Sequence, residues 1–317
     1  MKKSVCILVP VKDEKDSLPL LFAELDEVLA SVAGNYNFHV VVLDDGSTDN
    51  SVVAAKSYAS KAYSIGVISF TRNFGKEAAI AAGLSKCQSD AYIIMDSDLQ
   101  HPPSILPEML TQWENGYKLV EGVKQDRGQE SSVYRIFSGI FYRTLNRMGA
   151  LDLKDGSDFK LLDNEIAEVI RGLPEKSRFF RGLIDWMGFP SYKIPFRVQN
   201  RKSGKSSWNT WKLISYSLLS ISSFSSIPLQ LVTIIGMATL FLSLSLGSVT
   251  LFQWASGEAV TGFTTVILLL LLIGSMLMIS MGLIGLYISR IYEEVKARPA
   301  YMIKEEFNVP PFSDENP

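Results

Sequence analysis

Two long stretches without a charged side chain constrain this chain more than any other feature. No Asp, Glu, Lys or Arg occurs between Lys212 and Glu258, and a second uncharged run covers 263–289. A helix needs about 20 apolar residues to cross a hydrocarbon core, and each run is long enough. Buried core helices are the alternative, but soluble helices of this length normally carry a polar face. We therefore predict two membrane-spanning helices within residues 229–289.

The charged residues around these two runs predict how the hairpin is oriented. The link at 255–262 is short and holds no Lys or Arg. Basic residues stand on the outer side of each run, namely Lys205, Lys212, Arg290, Lys296, Arg298 and Lys304. Because basic flanks stay on the cytoplasmic side of a membrane, we predict that both termini are cytoplasmic and that the tip of the hairpin is outside.

The segment 207–228 comes directly before the first predicted span and has a different composition. It carries no acid, many serines and several aromatic residues, and it ends at Pro228. This mixture is typical of helices that lie in the membrane interface, although a third, short span is an alternative. We divide the chain into a cytoplasmic catalytic domain (1–206), interfacial helices (207–228), a transmembrane hairpin (229–289) and a cytoplasmic tail (290–317).

The composition excludes several classes of protein. With a net charge of -2 and a pI of about 5.8, the chain as a whole is not a nucleic-acid binder. Its two cysteines, Cys6 and Cys87, belong to no CxxC or Cys/His cluster, which argues against a zinc site or a disulfide framework. The first apolar run, 5–9, is too short for a signal peptide and predicts a buried strand.

Up to about residue 122 the chain alternates between short apolar runs and amphipathic runs. The apolar, β-branched runs predict strands at 4–9, 38–43, 65–69, 91–95 and 118–121. The amphipathic runs predict helices at 18–32, 51–60, 75–86 and 105–115, the first of them after the cap residue Ser17. This alternation indicates an α/β fold of the doubly wound type.

Polar clusters follow the first four of these strands, at 10–14, 44–49, 72–76 and 96–103. Ligands of doubly wound sheets bind outside the carboxyl ends of the strands. A single pair of aspartates in a loop is often only a helix cap. Four polar clusters at four successive strand ends indicate instead one shared binding site.

The residue types in these clusters suit a nucleotide diphosphate and a hard divalent cation. Asp96, Asp98 and Gln100 lie on the same side of an extended loop, because side chains alternate along it. Oxygen ligands of this kind hold Mg²⁺ or Mn²⁺. The carboxylates better suited to a base edge and ribose hydroxyls are Asp13, Glu14, Asp44 and Asp45. We call residues 96–100 the metal loop. His101 directly follows the metal loop, and a structural role is favoured for it.

The motifs DDGSTD, RNFGKEAA and DSDLQHPP, followed by two apolar spans, resemble glycosyltransferase family 2 and its polyprenyl-phosphate glycosyltransferases. The resemblance covers about residues 4–295 and implies a GT-A fold. It implies a nucleotide pocket formed by Pro10, Val11, Glu14, Asp44, Asp45, Lys76, Asp96 and Ser97, and a metal bound by Asp98 and Gln100 with Asp96. The family usually has Tyr-Asn where this chain has Lys12-Asp13, so the contacts of these two positions are open.

The resemblance also implies residues on the acceptor side. The segment 155–160 is similar to the family's aspartate loop near the reacting centre, so Asp158 is the predicted catalytic carboxylate, with Asp96 beside it and Asp155 as runner-up. The predicted ligands of the acceptor phosphate are Arg127, Arg135, Ser138, Arg201 and Ser206. A solvated basic face or an ordinary positive-inside flank is the alternative for these basic residues.

These features together predict a metal-dependent, inverting glycosyltransferase of the cell membrane. We expect transfer of a hexose, with UDP-glucose favoured, to an undecaprenyl-type phosphate. Other sugars on the same lipid, namely GlcNAc, galactose or mannose from GDP-mannose, stay open. A polysaccharide synthase, a phosphatase-like hydrolase and a silent membrane scaffold are further alternatives. Small residues on both spans, such as Gly236 and Gly282, predict a homo-oligomer, with a tetramer as the suggested size.

Overall fold

The structure is a computed structural model that describes residues 2–125, 156–175, 180–197, 227–257 and 262–310. The chain forms two compact units. The first comprises Met1–Ser207 together with Pro299–Pro317, and the second is Trp208–Arg298. The chain therefore leaves the first unit for the second and returns to the first at its end.

A sheet of eight strands forms the centre of the first unit. The strands are β1 (Lys3–Val11), β2 (Tyr36–Asp44), β3 (Tyr63–Phe70), β4 (Ala91–Ile94), β5 (Leu119–Lys124), β6 (Gly156–Asp163), β7 (Ser191–Phe196) and β8 (Ile303–Phe307). Their order across the sheet is β7-β5-β6-β4-β1-β2-β3-β8. Strands β4, β1, β2 and β3 are parallel neighbours, whereas β6 and β8 run antiparallel to theirs. The sheet is therefore mixed, with a parallel centre.

Helices cover both faces of this sheet. They are α1 (Leu18–Ala30), α2 (Ser51–Ser57), α3 (Lys76–Lys86), α4 (Leu106–Glu114), α5 (Asn164–Gly172) and α6 (Phe180–Met187). One apolar cluster joins the sheet to α1, α2 and α4, and a second joins it to α3, α5 and α6. Because both faces are covered, the central strands are apolar along their length, and residues 5–9 of β1 are all 0% exposed.

The five strands and four helices predicted from the sequence are all present, with ends that differ by a few residues. Three further strands and two further helices were not predicted from the sequence, namely β6, β7, β8, α5 and α6. Ser17 occupies the N-cap position of α1 but makes no side-chain cap hydrogen bond, because its hydroxyl donates to Glu14. The segment around Asp158, expected as a loop, lies in β6 and pairs with β4 and β5.

Strand β8 completes the sheet at its outer edge, although it follows the second long apolar helix in sequence. It runs antiparallel to β3. Lys56 and Lys86 form ion pairs with Glu305 and Glu306 at 2.8 and 3.1 Å. The ring of Tyr301 stacks on Phe70 with centroids 5.3 Å apart. Residues 301–307 are thus an integral part of the first unit.

The second unit contains two long helices, α7 (Ile227–Ala255) and α8 (Phe263–Val295). Their segments Val232–Thr250 and Leu272–Val295 are long and apolar enough to cross a membrane, and none of their residues is buried. Large apolar side chains stand exposed, for example Phe252 at 74%. Core helices of a soluble protein bury such side chains, so the two predicted apolar helices are confirmed and are not core helices.

Candidate active site

The carboxyl ends of the parallel strands β1, β2 and β4 meet at one edge of the sheet. Val11 at the end of β1 lies opposite Asp44 at the end of β2. The next residue, Asp45, donates its backbone N–H to the carbonyl of Val11 at 2.9 Å. Met95, just after β4, donates in the same way to Leu8 of β1 at 3.1 Å. The polar clusters that follow these strands therefore share one edge, as the sequence predicted.

Asp44 shapes the turn after β2 and is only 1% exposed. One of its carboxylate oxygens accepts a hydrogen bond from the backbone N–H of Ser47 at 3.0 Å. The other accepts from the hydroxyl of Ser69 on β3 at 2.6 Å. Both oxygens are therefore engaged inside the protein.

Asp13, one of the two residues that depart from the family pattern, ties the loop after β1 to the loop after β2. Its Oδ1 accepts from the backbone N–H groups of Thr48 and Asp49 at 2.7 and 3.3 Å. Its own N–H donates to the hydroxyl of Ser47 at 2.9 Å. Asp13 has a φ of 55°, a conformation that Asp and Asn adopt more readily than most residues. The departure thus supplies a carboxylate that organises the loops.

Asp45 fastens the loop after β3 to the end of β2. Its carboxylate accepts from the backbone N–H of Phe74 at 2.6 Å and from that of Gly75 at 2.9 Å. Burial raises the pKa of Asp45, and these hydrogen bonds oppose the rise. Gly46 has a φ of +67°, and a Cβ there would lie 2.5 Å from the carbonyl carbon of Arg72. The two loops therefore pass too closely for a side chain at position 46.

The segment after β4 carries the predicted metal ligands. Asp96, Asp98 and Gln100 are half-buried, whereas the intervening Ser97 and Leu99 are buried. Asp98 Oδ1 accepts from the backbone N–H of Gln100 at 3.1 Å, and Leu99 has a φ of 61°. This alternation leaves the three predicted ligands on the accessible side of the segment.

His101 holds this segment against the core. Its Nδ1 accepts from the backbone N–H of Asp96 at 3.0 Å, and its ring stacks on Phe159 of β6 with centroids 5.0 Å apart. The histidine is 3% exposed, and burial lowers its pKa. A neutral imidazole that accepts at Nδ1 fits this environment, so His101 positions the metal loop.

The residues present at this loop fit a hard divalent cation. The predicted donors are two carboxylates and one side-chain amide, so all of them offer oxygen. Within the described ranges no group of three or more His, Cys, Asp or Glu side chains is arranged to hold a metal by itself. Mg²⁺ sites commonly combine one or two carboxylates with substrate phosphates. The loop therefore fits a cation shared with a diphosphate.

Lys76, the first residue of α3, joins the metal loop to β6. Its Nζ lies 2.5 Å from Asp96 Oδ1 and 2.6 Å from Asp158 Oδ2. The Nε of Arg181 on α6 lies 2.5 Å from the other oxygen of Asp158. Two cations thus contact Asp158, one on each oxygen.

These contacts set the charge of the cluster. Burial opposes ionisation of Asp158, but Lys76 and Arg181 outweigh burial and hold the pKa of Asp158 well below its usual range. Burial likewise disfavours the Lys76 ammonium, but Asp96 and Asp158 outweigh it and raise the pKa of Lys76. At neutral pH the cluster consists of charged groups, and Asp158 is a carboxylate.

The remaining predicted residues divide into those the structure places and those it does not describe. Pro10 and Val11 end β1, and Glu14 follows, its N–H donating to Ser51 Oγ at 2.9 Å. Asp49 accepts from the N–H of Ser51, the first residue of α2, at 2.9 Å. The predicted acceptor ligands Arg127, Arg135, Ser138, Arg201 and Ser206, and the runner-up Asp155, lie outside the described residues.

Arg181 is a site residue that the sequence motifs do not indicate. This arginine lies 23 residues after Asp158 and belongs to no motif that indicates chemistry. Its place beside Asp158 arises from the packing of α6 against the sheet, where Phe180 and Ile184 are buried. No local pattern in the sequence signals this arrangement.

Comparisons with known proteins show the family of this chain. Residues 6–167 match Glycosyl transferase family 2. The putative glycosyltransferase CsbB of Bacillus subtilis is 35% identical over 308 residues, which are 96% of this chain and 92% of that protein. The SfII prophage-derived bactoprenol glucosyl transferase of Shigella flexneri is 32% identical over 303 residues, 95% of this chain and 97% of that protein.

Among solved structures, glucosyl-3-phosphoglycerate synthase from Mycobacterium tuberculosis in complex with Mn²⁺ and UDP-glucose has a TM-score of 0.47. It is 18% identical in sequence, and the match covers 69% of this chain and 77% of that one. From the family match and the near full-length relatives, the chain belongs to glycosyl transferase family 2 and is a glycosyltransferase with a GT-A-like α/β fold.

Proposed function

We propose that this glycosyltransferase transfers a hexose from a nucleotide-sugar to a polyprenyl phosphate at the cytoplasmic face of a membrane. One observation carries the proposal: an oxygen-donor loop beside the Lys76–Asp158 cluster occurs in a chain with two helices suited to cross a membrane. A lipid phosphate presents its reacting group at the membrane surface, where such helices would hold the enzyme. Relatives named bactoprenol glucosyl transferase support this acceptor.

A divalent cation, Mg²⁺ or Mn²⁺, would be held by Asp98 and Gln100, with Asp96 beside them. When bound, the ion neutralises the charge that develops on the departing nucleotide diphosphate. Lys76 already bridges Asp96 and Asp158, so its ammonium lies close to where a metal-bound diphosphate would be. A fixed cation at that place stabilises developing negative charge without reorganisation.

The nucleotide would lie over the ends of β1 and β2. Pro10, Val11 and Glu14 line the first of these ends, and Ser97 belongs to the metal loop. Asp44 and Asp45 are proposed to act indirectly, because their oxygens already bind Ser47, Ser69 and the loop at 74–75. They would fix the backbone that receives the base and ribose.

The acceptor would need little help from a general base. A phosphate monoester has its second pKa near 6, so the lipid phosphate is largely ionised at neutral pH and can attack the anomeric carbon directly. Attack from the face opposite the nucleotide inverts that carbon. Asp158 would orient the sugar or the acceptor, since a carboxylate held ionised by Lys76 and Arg181 is a weak base. Arg127, Arg135, Ser138, Arg201 and Ser206 stay proposed ligands of the acceptor phosphate.

Strand β8 supports a topology with both termini in the cytoplasm. It follows α8 in sequence yet pairs with β3 of the catalytic sheet, so an even number of crossings separates it from the N-terminal domain. Two spans satisfy this condition, whereas a third span would not.

A cysteine at Ser256 is expected to react with an impermeant thiol reagent outside intact cells, and one at Lys304 is not.

A homo-oligomer built on the membrane helices, of tetramer size, is part of the proposal.

A donor screen tests the proposed activity and the sugar together. Membranes that contain the protein are incubated with labelled UDP-glucose, UDP-GlcNAc, UDP-galactose or GDP-mannose, and the lipids are extracted. We expect label in the lipid fraction, with UDP-glucose the best donor. Label in a polymer would favour a polysaccharide synthase, and label released as free sugar would favour a hydrolase. Absence of label from every product would contradict the proposal.

A further inference from the structure

Glu77 lies next to Lys76 in the first turn of α3 and has no part in the mechanism described above. It is half-buried. Its Oε2 accepts a hydrogen bond at 2.9 Å from the backbone N–H of Phe180, the first residue of α6. A carboxylate at this place satisfies one of the N–H groups that the start of a helix leaves without a partner. Glu77 therefore ties the start of α3 to the start of α6.

This tie closes a ring of contacts around Asp158. Lys76, the neighbour of Glu77, holds one oxygen of Asp158 at 2.6 Å. Arg181, the neighbour of Phe180, holds the other oxygen at 2.5 Å. Lys76 and Arg181 form the ion pairs with Asp158. Each of them is the sequence neighbour of one partner in the Glu77–Phe180 hydrogen bond. The Glu77–Phe180 hydrogen bond therefore belongs to the same ring of contacts as the two ion pairs of Asp158.

We propose that Glu77 is a positioning residue for the transfer reaction, which fixes α6 against α3 so that Lys76 and Arg181 hold Asp158 in its reactive orientation. The proposal rests on the proposed function for its catalytic consequence. It extends the site to a residue that belongs neither to the proposed nucleotide pocket nor to the proposed metal ligands. Small errors in placement matter here, because a misplacement of about 1 Å can cost about 100-fold in rate.

The charges around Glu77 also predict how the stability of the protein depends on pH. Burial raises the pKa of Glu77 to about 7. Asp158 adds to this rise, whereas the Phe180 N–H, Lys76 and Arg181 oppose it. A carboxyl whose pKa is higher in the folded than in the unfolded protein makes folding less favourable as pH rises. This loss of folding stability begins near the pKa that a glutamate has in the unfolded protein, and it is complete above about pH 7.

Two substitutions separate anchoring from charge. In Glu77→Gln the amide oxygen can still accept from Phe180, whereas Glu77→Ala removes the acceptor. We expect Glu77→Ala to lower kcat by roughly 10- to 100-fold with little change in KM for the nucleotide-sugar, and Glu77→Gln to retain most of the activity. Glu168 on α5 is exposed, and Glu168→Ala and Glu168→Gln are the matched controls with unchanged kcat. Full kcat in Glu77→Ala, or an equal loss in Glu77→Gln, would overturn the proposal.

A thermal measurement tests Glu77 without requiring transfer. The Tm of Glu77→Gln minus that of the wild type should grow between pH 5 and pH 8, because only the wild type carries the titrating carboxyl. A gap that does not change with pH would contradict the placement of Glu77 among these charges. Wild-type protein that transfers no sugar would count against the proposed function, while the Tm gap would still decide on Glu77.

Discussion

Two sets of carboxylates lie along one edge of the sheet and have different partners. The bracing carboxylates are Asp13, Asp44 and Asp45, and the site carboxylates are Asp96, Asp98 and Asp158. The bracing set accepts hydrogen bonds mainly from backbone N–H groups of neighbouring loops. In the site set, Asp96 and Asp158 contact the side-chain cations of Lys76 and Arg181. Carboxylates that look alike in the sequence thus divide into those that fix loops and those for which we propose a chemical role.

This comparison predicts a division between stability and activity. Removing a bracing carboxylate takes away the acceptor of backbone N–H groups in the neighbouring loops, so the free energy of unfolding should fall. Removing the charge of Asp96 or Asp98 should instead lower the rate and leave the free energy of unfolding nearly unchanged, because these half-buried side chains lie on the accessible side of their segment.

Asp98→Asn should lower transfer by about 100-fold or more, which corresponds to at least ~2.7 kcal/mol of transition-state stabilisation. The physical reason is loss of a charged metal ligand, and Tm should be unchanged. Asp90 is the matched control, because it lies at the opposite, amino end of β4 and its carboxylate accepts from Ser4. Activity of Asp98→Asn above about a tenth of wild type would remove Asp98 from the metal site.

Lys76→Met should lower kcat by roughly 10- to 100-fold, since it removes the cation that joins Asp96 and Asp158 while keeping a side chain of similar size. The measurement is kcat and KM for the nucleotide-sugar at saturating lipid phosphate. Lys86, at the other end of α3, is the control position. An unchanged kcat would show that the bridge between the two carboxylates is not used in the reaction.

Asp45→Ala should lower the free energy of unfolding by about 1–3 kcal/mol, because the N–H groups of Phe74 and Gly75 lose their acceptor. Asp45→Asn keeps one acceptor oxygen and should lose less. Chemical unfolding of both variants measures the difference. If Asp45→Ala unfolds like the wild type but loses activity, Asp45 belongs with the site carboxylates.

Asp13→Ala should have the smallest effect, a loss of about 0.5–1.5 kcal/mol in the free energy of unfolding. Asp13 is exposed, so water can replace part of its hydrogen bonding to Thr48 and Asp49. Asp13→Asn should be close to neutral, because Asn also adopts positive φ. If Asp13→Ala lowered the free energy of unfolding as much as Asp45→Ala does, the greater solvent exposure of Asp13 would not explain a difference between the two positions.

The parallel half of the sheet could be predicted because its signals are local. Each buried strand is a short apolar run, and the carboxyl ends of parallel strands meet at one edge, so the clusters after β1, β2 and β4 follow from the sequence. The proximity of Asp96, Asp98 and Gln100 on one side of their segment follows from the alternation of side chains.

The rest depends on contacts between distant parts of the chain. Lys76 and Asp158 are 82 residues apart, and they meet only because β6 inserts antiparallel between β4 and β5. Strand β8 reaches β3 after both long apolar helices, with Asn308 donating to Ile65 across 243 residues. The bracing role of Asp13 depends on a positive φ that its neighbours in sequence do not indicate. Periodicity and motif spacing carry no information on such pairings.

The most direct test of the central claim is the mass of the lipid product. Purified protein in nanodiscs is incubated with UDP-glucose, a divalent cation and undecaprenyl phosphate, and the extracted lipid is analysed by mass spectrometry. The account predicts that the lipid phosphate gains the mass of one hexose, that chelation of the cation or Asp98→Asn prevents the gain, and that undecaprenol without a phosphate stays unchanged. Unmodified lipid phosphate in the presence of all components, or an equal gain by undecaprenol, would contradict it.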